Sequence, residues 1–439
     1  MSFVIILFSL ALLIVLISYF KVNAFLAFLL VSIIAGLGLG IPLDNLPQSI
    51  NNGIGSIMKS LTLIIVLGAM LGKLVAESGA AGKIASVMVG VFGTKYVQWG
   101  LMVTGFIVGI PLFYGIGFVL LVPLIFSVAY QYKLPAVYIG LPMLAALSVT
   151  HGFLPPHPSP VALTSLFNAN LGMVLIYGLI VAIPAIILAG PVFCRFLKNI
   201  KTGEVTLFKQ NTQTTNQKIP GKFSSIFTAI LPVILLILVT VIPYCFPNLH
   251  ETPLKIIHFI GDPSVVMLIA VLVATYTLGL KQGKSIKEIM AIYEEAVKDI
   301  AMILLIIAGS GIFKQVMEDS GVSHELAVSL LQLPVHPLIL GWVIAAIIRG
   351  CVGSATVAGL TAAGVLIPLV TQSGIDANLM VLAVGAGSLM FSHVNDAGFW
   401  MFKEYFNLSM KDTLKSWSVM EAIVAIVGLV GVLILSILI

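Results

Sequence analysis

Residues 338–370 read LILGWVIAAIIRGCVGSATVAGLTAAGVLIPLV, an apolar run whose one charge is Arg349. As a straight helix rising about 1.5 Å per residue it would be about 50 Å long, against a bilayer hydrocarbon core about 30 Å thick. The run is too long for one span, and its middle, Gly350-Cys-Val-Gly-Ser-Ala-Thr356, is built of small residues. A segment that enters the bilayer, turns at such a tip and leaves on the same side fits both facts. Residues 99–130 repeat the pattern, with Gly109-Ile-Pro-Leu-Phe-Tyr-Gly-Ile-Gly117 at the middle. Each stretch reads as a re-entrant hairpin.

Composition supports lipid as the solvent for the remainder. Of 439 residues 59% are hydrophobic and 9% charged, with a mean hydropathy of +1.15. A soluble domain devotes about a quarter of its residues to charge, so this chain cannot cover a water-facing surface. Apolar segments near 2–20, 22–41, 61–77, 136–154, 170–194, 224–247, 263–280, 300–317, 377–400 and 417–439 make about ten full spans beside the two hairpins. The alternating strands and aromatic girdles of a barrel are absent, so the spans read as helices. The opening run, MSFVIILFSLALLIVLISYFK, lacks a basic leading region and a small-residue cleavage site, and reads as a first membrane helix.

Charge tests the layout. With the 195–222 loop placed in the cytoplasm, all of the 22 basic residues except Lys59, Lys255, Lys314 and Arg349 fall inside or at an inner helix end. That is the bias expected of cytoplasmic loops. It emerges only if both long segments are hairpins, and it puts both termini outside. The net charge of +5 is then a matter of topology, and no basic face suggests nucleic acid. Cys194, Cys245 and Cys351 have no metal or redox spacing, and the histidines show no paired ligand spacing. Lys281 to Asp299 reads as an amphipathic cytoplasmic connector.

The chain also repeats. LIIVLGAMLGKLVAESGAAGKIA at 63–85 lies over LLIIAGSGIFKQVMEDSGVSHELA at 304–327, which sets Glu77-Ser-Gly79 on Asp319-Ser-Gly321. The same shift places Thr150-His151 on Ser392-His393, and a nearly equal one places Pro123 on Pro368. Each half would hold about five spans and one hairpin, and an odd number of spans inverts the second half. The expectation is an all-α polytopic membrane protein of two inverted repeats. Residues 1–195 form the first repeat, 196–222 a cytoplasmic linker and 223–439 the second. Proteins of this plan bind their substrates near the midplane, where helices break.

Polar residues inside apolar spans mark that region, because lipid gives them no partners. Ser148-Val-Thr-His-Gly-Phe-Leu-Pro-Pro-His-Pro-Ser-Pro160 cannot form a continuous helix, and it offers Thr150, His151, His157 and Ser159 beside unwound backbone. Ser392-His-Val-Asn-Asp396 offers His393 and Asn395 for substrate hydroxyls. For a coupling proton it offers Asp396, with His393 and His151 next in line. At the second hairpin tip, Gly353, Ser354 and Thr356 let backbone amides approach an anion. Arg349 at its edge needs an anionic partner, which is a substrate carboxylate, Asp396 or another internal acid. The first tip contributes Tyr114 as its one polar side chain.

HGFLPPHPSP (151–160), GSATVAGLTAAG (353–364) and SHVNDAGFW (392–400) closely resemble the gluconate permease family of bacterial proton symporters, and the resemblance runs from the first helix to the last. It implies a homodimer in the bacterial inner membrane, an inverted-repeat fold and an elevator-like movement of a transport domain against a scaffold. It implies a small organic anion as substrate, gluconate or a related hydroxy acid, with a proton and no other cofactor. The motifs carry Thr150, His151, His157, Gly353, Ser354, Thr356, His393, Asn395 and Asp396 as site residues. The same family handles D-serine and glycerate, and the wider ion-transporter superfamily includes sodium-coupled dicarboxylate carriers, so these remain open. Two positions depart from the family pattern. Ser159 stands where glycine is usual, and Gly115 stands where the first hairpin commonly has an acid.

Overall fold

A computed structural model describes residues 2–200, 202, 218–246, 251–322, 332, 334–393 and 396–439. All regular structure among them is helical. The chain begins with α1 (Ser2–Ser18), α2 (Ala24–Gly38), α3 (Leu46–Glu77) and α4 (Ala80–Phe92). There follow α5 (Val97–Gly109), α6 (Tyr114–Tyr132), α7 (Ala136–Phe153), α8 (Pro158–Leu166) and α9 (Leu171–Ile187). The second part holds α10 (Lys222–Cys245), α11 (Glu251–Ile260), α12 (Pro263–Ala274) and α13 (Ile286–Asp319). Then come α14 (Pro337–Val352), α15 (Ala355–Ser373), α16 (Ala377–Gly387) and α17 (Ala397–Tyr405). A turn at Met410–Thr413 and a π-helical turn at Leu414–Ser418 lead into α18 (Val419–Leu438).

Eight of the described helices are long and apolar enough to cross a membrane; α1, α2, α4, α5, α14 and α16 are apolar but shorter. The two overlong segments are indeed broken near their middles, at 110–113 and at 353–354. The first break contains Pro111. At the second, Gly353 adopts φ +80°, a left-handed conformation open to glycine at little strain. Its N–H caps α14 by donating to the Arg349 carbonyl at 3.0 Å, and Ser354 then caps the next helix by accepting from the Val357 N–H at 3.4 Å.

Three other features differ from the sequence expectation. The segment 377–400 is not one span: α16 stops at Gly387 and the chain resumes as α17 at Ala397. Asp396 is the reason for the restart, since its carboxylate accepts the Gly398 N–H at 3.0 Å as an N-cap. His393 and Asp396 therefore lie in a break rather than within a span. The connector 281–299 is not separate either, because α13 runs unbroken from a Ser285–Glu288 capping box into the apolar region. An apolar helix also fills 80–92, where no span was expected.

Packing centres on α7 and α16, which bury nearly every side chain. Around them lie α5, α9, α14 and α18. A second group joins α3 to α13, with α2 and α12 alongside. The α3–α13 crossing is tight because Gly53 and Gly311 face each other: a Cβ on either would sit 2.6 Å from the other's carbonyl oxygen. Small residues at a helix crossing let backbones meet where lipid supplies no hydrophobic drive. Lys73 ties the same two helices through Asp299 at 3.0 Å and Glu295 at 3.2 Å. The two groups meet where α15 packs on α13 and α8 on α3.

Candidate functional site

Among the described residues, apolar helices are interrupted at 110–113, at 154–157, at 353–354 and between Gly387 and Ala397. Three of these restarts face one cavity of about 390 Å³, whose lining includes Tyr114 and Gly115 of α6, Ser354, Ala355 and Thr356 at the start of α15, and Asp396, Ala397 and Gly398 at the start of α17. Ser148 and His151 of α7, Arg349 of α14, Trp417 and Glu421 complete its polar wall. The volume suits a small molecule. Each helix N-terminus carries a partial positive charge and, beyond the amides its cap already takes, N–H groups without an intrahelical partner, so three of them at one cavity favour an anion.

Arg349 is 4% exposed, and its guanidinium is held at the cavity edge from two sides. Nη2 meets Asp396 Oδ2 at 2.5 Å, and Nη1 donates to the Gly353 carbonyl. The open question of its anionic partner is thus answered by Asp396. That carboxylate also accepts from Ser392 Oγ, which in turn accepts from Trp417 Nε1 at 2.8 Å. The network joins α14, Ser392 and Asp396 between α16 and α17, and the entry to α18. Placing a guanidinium in the last turn of α14 also sets its charge against the negative helix end.

Other polar atoms of the lining have no partner. Tyr114 Oη, His151 Nδ1, Arg349 Nε and Glu421 Oε2 are buried without a hydrogen bond. Native structures leave few such atoms, and four on one wall are donors and acceptors available to a polar ligand. This is the arrangement of a site rather than of a packing core.

Of the residues singled out by sequence, His151, Arg349, Gly353, Ser354, Thr356 and Asp396 line the cavity. Thr150, His157 and Ser159 are buried behind it. Thr150 donates to its own helix at Leu147, and His157 Nε2 lies 2.6 Å from the Gly109 carbonyl, bracing the 110–113 break. His151 and His157 stack edge to face at 5.5 Å. His393 Nε2 lies 2.9 Å from the Gly350 carbonyl and so braces the other break. Asn395 lies outside the described residues. Ser148, Trp417 and Glu421 were not singled out. Glu421 left a signal, being the one charge in Val419–Leu438, and its carboxyl takes the Ser148 hydroxyl at 2.6 Å.

Apolar helices that break around a polar, anion-suited cavity make this chain a membrane transporter. It belongs to the GntP family of permeases, whose family model matches residues 1–438. Among its relatives, the High-affinity gluconate transporter of Escherichia coli is 47% identical over 437 residues, covering 99% of each chain. The Gnt-II system L-idonate transporter of the same organism is 45% identical, covering 99% of this chain and 98% of the relative. The gluconate permease of Bacillus subtilis is 44% identical over 95% of each. Among solved structures, the fold is similar to that of the YdaH transporter of Alcanivorax borkumensis, with a TM-score of 0.63 and 18% identity over 90% of this chain and 89% of the other. It is also similar to that of MtrF from Neisseria gonorrhoeae, with a TM-score of 0.65 and 14% identity over 90% and 85%.

Proposed function

We propose that the protein imports gluconate, or a sugar acid of the same size such as idonate, across the bacterial inner membrane by proton symport. The observation that carries the reading is the convergence of three helix N-termini on the cavity beside Arg349. The substrate carboxylate would sit against the amides at the start of α15 and α17. The Ser354 and Thr356 hydroxyls, His151 and Tyr114 would meet the substrate hydroxyls. The names of relatives at 44–47% identity support the substrate class.

The two broken segments 97–132 and 337–373 would be re-entrant hairpins, one in each of two inverted repeats, 1–195 and 223–439, joined by the linker 196–222. Both termini would face outward, as the distribution of basic residues favours. The α3–α13 group would be the scaffold and, in a homodimer, the subunit contact; the group around α7 and α16 would move. The coupling proton would travel on a carboxyl of the cavity wall, and two are present, Asp396 and Glu421.

The test is uptake of labelled gluconate into proteoliposomes with an alkaline interior, with and without a protonophore. Protonophore-sensitive accumulation is the expected result. Exchange without accumulation would reject the coupling and keep the substrate. Absence of uptake would reject the substrate and turn the assay to D-serine, glycerate and dicarboxylates, the last with and without sodium.

A further inference from the structure

We infer that Glu421, and not the ion-paired Asp396, is the carboxyl that loads and releases the coupling proton. The inference rests on the symport reading above. Both oxygens of Asp396 are engaged: Oδ2 with Arg349 and Ser392, Oδ1 with the Gly398 N–H. Protonating it would strip Arg349 of its counter-charge and loosen the cap of α17.

Glu421 is placed differently. It is 3% exposed and lines the same cavity, yet only Oε1 has a partner, the Ser148 hydroxyl at 2.6 Å. Oε2 has none. A carboxyl serving only to hold Ser148 would need one oxygen and no charge. The charged and titratable groups that face it are Tyr114 from α6, His151 from α7, Arg349 from α14 and Asp396 from the start of α17. Arg349 is the one fixed cation among them, and Asp396 already answers it. An ionised Glu421 therefore leaves the wall with an excess negative charge, which opposes a substrate anion. Protonation of Oε2 removes that charge, so substrate and proton favour each other's binding. In the step itself, water on the loading side gives a proton to Oε2, an O–H bond forms, and the hydroxide left behind is neutralised by that solution. On the other side the O–H breaks and the proton returns to water. One proton with one monovalent anion moves no net charge.

The experiment compares wild type with Glu421→Gln and Glu421→Asp in proteoliposomes under a gradient of one pH unit, interior alkaline. One proton per substrate supports about tenfold accumulation in the wild type. Glu421→Gln is expected to show gluconate exchange at equal pH but an accumulation ratio near one. Tenfold accumulation by Glu421→Gln would overturn the inference, whereas failure of wild type to take up gluconate would instead overturn the substrate reading. Calorimetric gluconate titrations across pH decide independently. Wild-type affinity should weaken as pH rises, and Glu421→Gln should be flat; an equal slope in both overturns the proposal. If the glutamine variant neither exchanges nor binds, Glu421→Asp decides: a displaced pH midpoint supports the assignment and an unmoved one refutes it.

Discussion

Replacing Asp396 with Asn keeps the size of the side chain and a carbonyl able to cap α17, but removes the charge that faces Arg349. At 2.5 Å and an effective dielectric of about 20, the pair's attraction is roughly 6–7 kcal/mol before desolvation. Removing one member of a buried pair costs about 3–5 kcal/mol, because the other charge stays buried. Arg349 is 4% exposed, so water replaces little of a lost partner. The one amide oxygen can cap α17 or accept from Arg349 but not both, so about 3 kcal/mol is the least to expect. Arg349→Gln should cost a similar amount, since it leaves Asp396 without its cation. The double variant has no stranded charge and should recover at least about 2 kcal/mol of the summed loss. Purified protein in detergent, heated and read by size-exclusion, gives the three midpoints. At about 2 °C per kcal/mol, each single variant should melt at least about 6 °C below wild type, and the double variant should lose clearly less than the two single losses added together. Strictly additive losses would refute the claim that this pair is a coupled buried unit.

Four further outcomes follow from local geometry. Ser148→Ala removes the one partner of the Glu421 carboxyl and should cost about 1–3 kcal/mol, read as a lower melting midpoint. Gly105→Ala puts a Cβ 2.3 Å from the Met143 carbonyl oxygen, where α5 meets α7, and should cost about 1–3 kcal/mol. Gly90→Ala meets nothing within 4 Å in helix α4 and should stabilise by about 0.5–1 kcal/mol, which makes it the control for the same assay. A Cβ at Gly115 also meets nothing within 4 Å, and this position begins α6 at the cavity wall. Gly115→Glu should therefore fold with a midpoint near that of wild type. Added to Glu421→Gln, it should restore part of the pH-driven accumulation, measured in the same proteoliposomes.

Much of the architecture was legible in the chain. Apolar run length marked the membrane helices, and Arg349-Gly-Cys-Val-Gly-Ser marked the break between α14 and α15, because a bilayer limits span length and small residues permit a tight turn. The prolines of 155–160 announced the break after α7. Six of the residues picked for the site, among them Arg349 and Asp396, do line the cavity. Thr150, His157 and His393 lay in the right motifs but face backbone carbonyls; local sequence reports that a polar group must be satisfied, not by whom.

What sequence alone determined, then, is the class of solvent, the helices and the places where they break, since these depend on hydrophobicity and backbone chemistry within a few residues. Pairings across the chain were decided by tertiary structure. Arg349 could have faced a substrate or any internal acid, and only the placing of the start of α17 against α14 brings Asp396 to it. Glu421 read as one acid in an apolar terminal helix. Packing of α18 against α7 gives it Ser148 and a place on the cavity wall, because contacts between residues 273 positions apart are fixed by the packing of whole helices.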